Sequence, residues 1–163
     1  LSPDLFEKGH LPAIDIGTSV SRVGGKAQLP AFRAVAGNLR LSYSQFEELE
    51  SFARFGTQLD EETRRKLTRG ERVRAVLTQK EHDHFTVPEQ IAVLLAATEG
   101  LLDGLDPASV ADAEETLRRL VREDLPELTA DIAGGEPLSH ERREALIGAM
   151  RRALEPDETD GDA

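Results

Sequence analysis

The chain has no cysteine. Disulfide staples and thiolate metal sites are excluded, and the omission fits a reducing compartment. Tryptophan is also absent, and six Phe and one Tyr bring the aromatic share to only 4%. A core with so few rings must close through Leu, Ala, Val and Ile, which suits packed helices better than a β-sandwich. No apolar run approaches the roughly 20 residues of a membrane span, and no signal-peptide pattern opens the chain. An excess of positive charge is missing too. Twenty Lys and Arg face 31 Asp and Glu, for a net charge of −11. The signs are interleaved and leave no basic face, which argues against a nucleic-acid partner and for a well-solvated surface.

What is present suffices for one core. The 163 residues, 39% of them hydrophobic, fit a single domain or a small domain plus a fragment of another. The first residue is Leu rather than Met, so a piece of a longer polypeptide is expected. "LPAIDIG" (11–17) is a β-branched run ending at glycine, and it predicts a strand over 13–17 with Ile14 and Ile16 on one face. Gly17, Gly24 and Gly25 predict a loop after it. A lone strand needs neighbours, and the rest of the sequence offers none, so a preceding part is expected again.

From residue 26 the spacing turns helical. Leu39, Phe46, Leu49, Phe52 and Phe55 predict one helix stopped at Gly56. Asp60 opens the next, acids first and bases later, with Gly70 as a weak point. "VPEQIAVLLAATEGLLDGL" (87–105) reads as the central helix. Asp106 with Pro107 predicts the start of a helix facing the core through Leu117, Leu120 and Val121. A short helix over 126–133 and a last one capped by Ser139 follow. The acidic tail, 156–163, is expected to be disordered. The fold class is therefore mainly α: a bundle of about five or six helices over 29–155, preceded in 1–28 by a strand and loop.

Three places could carry chemistry. The first is "GTSVSRVGGKAQ" (17–28), where Arg22 sits among small residues. Its Gly25-Lys26 is not a P-loop: position 20 is Val, position 27 is Ala, and the magnesium-binding hydroxyl is missing. The residues leave two readings for Arg22, a surface arginine with a structural pair or a finger that forks onto phosphate oxygens. The second is His82 with His84, a metal pair only if both face one side of a strand with a third ligand. They lie instead in a polar connection, and no metal is expected. The third is the acidic clusters at 47–50, 60–62 and 112–115, which read as solvated helix faces beside bases. No Ser/His/Asp or Cys/His arrangement is visible.

"LPAIDIGTSVSRVGGKAQLPAFRAVAGNLRLSYSQFEELESFARFG", continued by "LDEETRRKLTRGERVRAVLTQ" and "VPEQIAVLLAATEGLLDGL", closely resembles the α subunit of F-type ATP synthases from about residue 5 to 105. The resemblance implies that 1–28 ends a RecA-like α/β nucleotide-binding core and that the rest is the C-terminal helical domain. It implies a non-catalytic subunit alternating with β subunits in a ring around a central γ stalk, peripheral on the cytoplasmic face of the cell membrane. By match to the family's S-V-S-R motif, Arg22 reaches the nucleotide on the adjacent β subunit, with Ser19, Val20 and Ser21 shaping its loop. Gln79 matches the first residue of a Q-x-Q segment beside the adenine of the subunit's own nucleotide, where Glu81 replaces the second Gln and cannot donate its hydrogen bonds. ATP or ADP with Mg2+ belongs to the full assembly; none is expected on this piece alone, which is expected to be inactive. Asp15 in place of Asn and "LLAATEGLLDGL" resemble the laterally distributed branch, some of whose members pump Na+. The coupling ion, H+ or Na+, is set in the membrane rotor. The alternative is a free-standing helical interaction module without a catalytic role.

Overall fold

The computed structural model describes residues 1–16, 18–21, 23–53, 59–78 and 84–155. Its elements are α1 (Pro3–Glu7), α2 (Gly24–Ala27), α3 (Pro30–Ala53), α4 (Glu61–Leu77), α5 (Val87–Glu99), a 3-10 turn (Pro107–Ser109), α6 (Val110–Glu123), α7 (Pro126–Ala133) and α8 (His140–Leu154). The architecture grows outward from α5. Its sequence is apolar on every side, and Ile91 through Ala97 are all buried. A helix without a polar face must be surrounded, and α5 touches α3, α4, α6, α7 and α8. The six helices α3 to α8 thus form the expected bundle.

Each neighbour turns one stripe inward. On α3 the stripe runs Ala31, Val35, Leu39, Tyr43 and Phe46, in steps of four and three. Phe52, expected on the same stripe, is 68% exposed. Six positions from Phe46 lie most of the way round the helix from the buried face. On α6, Leu117 and Val121 are buried, and Leu120 packs against the core from its edge. Burying each large aliphatic side chain contributes about 1.5–3 kcal/mol.

Helix ends follow local chemistry. Thr86 and Glu89 form a capping box at the start of α5, and Gly100 ends that helix at φ 78, a conformation that costs other residues more. Ser139 caps α8. Asp106 caps the 3-10 turn that leads into α6, rather than α6 itself. Phe55, Gly56 and the tail 156–163 lie outside the described residues.

The strand expected over 13–17 is not formed. Residues 13–15 have no ladder among the described residues, and Gly17 lies outside them. Among the described residues there is no second strand to pair with, and the segment lies on the bundle instead. The Ala13 carbonyl accepts the Ser2 N–H at 2.8 Å, and Ile16 packs against the core.

Gly70 is not a weak point but a close approach. A Cβ there would stand 2.0 Å from Cγ and Cδ2 of Phe46, so the ring of α3 lies directly on the α4 backbone. Above it, α4 stitches the turn after α5 in place. Arg72 donates to the carbonyls of Leu102 (3.3 Å) and Leu105 (2.8 Å), and Arg69 donates to Asp103 at 2.8 Å.

Asp60 caps α4, accepting the Thr63 N–H at 2.7 Å. The bonds from Thr63, backbone first and side chain second, hold its carboxyl below the ordinary aspartate value. A lowered pKa means stability that is present above the unfolded value and lost as pH falls through the folded one. Amide protection in the first turn of α4 should therefore drop as the pH enters and passes below the carboxylate range. Asp60→Asn keeps a cap but should remove that increment of pH dependence. Identical hydrogen-exchange profiles for the two proteins would contradict this.

Candidate functional site

The loop between the N-terminal segment and α3 is built by short-range bonds. Asp15 Oδ1 accepts the Thr18 N–H at 3.0 Å, and the Asp15 carbonyl accepts the Ser19 N–H at 3.0 Å as well as the Ser19 hydroxyl. Ser21 Oγ accepts the Gly24 N–H at 2.9 Å, which starts α2. A Cβ on Gly24 would meet that oxygen at 2.6 Å, so glycine keeps this turn tight. Between these ties Val20 is 75% exposed, and Ser19, Ser21 and Val23 are exposed too. Arg22 and Gln79 lie outside the described residues, as do Glu81 and His82.

Behind the loop stands α3. The Glu47 carboxyl is held above its ordinary value, by partial burial first and then by the negative charge of Asp15. Glu50 takes both ends of the Arg74 guanidinium, at 2.8 and 3.0 Å. Arg74 also donates to the Tyr43 hydroxyl at 3.1 Å and lies 4.5 Å over the Phe46 ring. Burial works against that cation, but the bonds from Glu50 and Tyr43 outweigh it and raise its pKa, so it stays charged.

Arg74 forms part of the wall of a cavity of about 350 Å³ between the N-terminal segment and the bundle. Ile14, Ile16, Phe32, Phe85 and Leu94 make it apolar, and Thr78 and Gln90 give it a polar edge. Thr78 is the described neighbour of Gln79. His84 is exposed, and its carbonyl accepts from Arg118 at 3.4 Å. Among the described residues no group of three metal-ligating side chains is assembled. The Tyr43–Arg74–Glu50 cluster is not legible in the sequence, because Arg74 stands 31 and 24 positions from its two partners.

Residues 28–153 match the family model for the ATP synthase alpha/beta chain, C terminal domain. The chain belongs to that family. The relatives fall on the alpha side of the alpha/beta family. ATP synthase subunit alpha 2 of Syntrophus aciditrophicus is 57% identical over 154 residues, 94% of this chain and 30% of the relative. Subunit alpha 1 of Dinoroseobacter shibae is 54% identical over 157 residues, again 94% and 30%. Subunit alpha 1 of Chlorobium luteolum is 51% identical over 161 residues, 99% of this chain and 32% of the relative. The chain thus spans about a third of the length of these curated alpha subunits. With 99% of it covered, the alpha-subunit likeness includes the loop around Ser19, Val20 and Ser21. Among the described residues no helix is long and apolar enough to cross a membrane.

Proposed function

We propose that this chain is the C-terminal part of the non-catalytic alpha subunit of a rotary ATP synthase, and that Arg22 is an arginine finger for the catalytic nucleotide site on the adjacent β subunit. The observation that carries the reading is the alpha-subunit likeness over 99% of the chain, S-V-S-R loop included. The exposure of Ser19, Val20 and Ser21 supports it, since a loop that serves a neighbour must stand clear of its own core. In the assembly, α and β alternate around a γ stalk at the cytoplasmic face of the membrane. ATP or ADP with Mg2+ is turned over on β, coupled to movement of H+ or Na+. Ser19 and Ser21 shape the loop, and Val20 faces the partner. By its match to the first residue of the family's Q-x-Q segment, Gln79 serves the adenine of the alpha subunit's own nucleotide.

This chain contributes no cysteine, so a single introduced thiol tests placement in a complex whose other cysteines have been replaced. Val20→Cys, carrying a photoreactive maleimide in the assembled complex, is expected to cross-link to β, and bound nucleotide should change the yield. Adducts confined to the alpha chain would overturn the assignment of this loop to the α/β interface.

A further inference from the structure

We infer that Arg33 is a positioning residue for the Arg22 loop, fixing the loop's far end to the helical bundle. The inference rests on the finger reading of Arg22. It starts from how little else secures α2. That helix has four residues and buries none of them. So short a helix does not sustain itself, and its last carbonyls have no partners within it. Arg33 Nη2 supplies them, donating to the Lys26 carbonyl at 3.1 Å and the Gln28 carbonyl at 3.2 Å.

The donor is well rooted. Arg33 stands on the first turn of α3 between Ala31 and Val35, both buried, and beside Phe32, which packs against the core. The bonds from Asp15 to Thr18 and Ser19, and from Ser21 to Gly24, span three or four positions. They give the loop a shape but do not place it relative to the bundle. Apolar anchorage brackets it at Ile16 and Leu29, which pack against the core. The Arg33 bonds move the second anchor point inward to Lys26, four positions along the chain from Arg22. A finger acts only if its guanidinium arrives where charge develops, and an error of about 1 Å can cost up to a hundredfold.

The test uses the assembled enzyme containing the full alpha subunit. Arg33→Met keeps the stem and removes the donors. It is expected to lower kcat about tenfold while KM stays within about twofold. Arg33→Lys is expected to restore most of the rate, because an ammonium can donate to both carbonyls. In an Arg22→Ala background, Arg33→Met should cost nothing further, since the two residues act as one unit. An unchanged kcat in Arg33→Met, or the same loss in both backgrounds, would overturn the inference and leave the finger reading intact. Wild-type turnover in Arg22→Ala would overturn both.

Discussion

Arg22→Ala in the assembled enzyme is expected to cut steady-state ATP hydrolysis about a thousandfold or more, while nucleotide affinity at the β site changes no more than severalfold. The asymmetry follows from what a finger does. A guanidinium supplied from a neighbouring subunit meets most of its charge when the phosphoryl group is in transfer, so its removal is felt in kcat and not in ground-state binding. Arg22→Lys should recover little, because a point charge on a flexible stem does not reproduce a planar fork. The measurement pairs a turnover assay with a nucleotide titration on the same preparation. Near-normal turnover would sink the assignment. Affinity and rate falling together would make Arg22 an ordinary binding residue.

The split between what was legible and what was not follows the range of the interactions. Asp60 and Ser139 are readable as caps because a cap bonds two or three residues ahead. The helix at 126–133 is readable because a proline opens it and glycines follow it. The central helix is readable because its composition admits no exposed face. The strand fails for the opposite reason: β-propensity describes a half-buried place in a sheet, and residues 13–15 have no sheet here. Gly70 looks like a break in a helix until the Phe46 ring, 24 positions earlier in the chain, is laid on it. Arg33 offers no signal at all, since its worth lies in two carbonyls of another element. Of the site, Ser19, Val20 and Ser21 stand on an exposed loop. Their meaning, and that of Arg22, came from the family resemblance. The residues alone favour a surface arginine.

Glu89 is the costliest thing the sequence hides, and Glu89→Ala is expected to destabilise the chain by about 3 kcal/mol or more. Read in isolation it is one more acid in the first turn of a helix. In the fold it is 2% exposed. Oε2 accepts the Thr86 N–H at 2.7 Å and the Thr86 hydroxyl at 2.8 Å, and Oε1 accepts from Arg122 at 3.1 Å. Arg118 lies 3.8 Å from Oε1, 4.0 Å over the Phe85 ring. Alanine removes half the capping box and withdraws the negative charge from two guanidinium groups. Breaking a buried pair in this way costs about 3–5 kcal/mol. The lower end applies because Arg122 is half exposed and keeps Glu115 at 2.9 Å. Glu89→Gln retains an acceptor for the Thr86 N–H and should lose less. Urea unfolding at constant m-value gives the numbers, and a loss under about 1 kcal/mol for alanine would show that the cluster does not hold the helices together. The damage should also spread. Glu89 joins the start of α5 to α6, and α5 touches every other helix of the bundle. Hydrogen exchange should therefore quicken across both helices together, whereas a purely local cap would fray only the first turn.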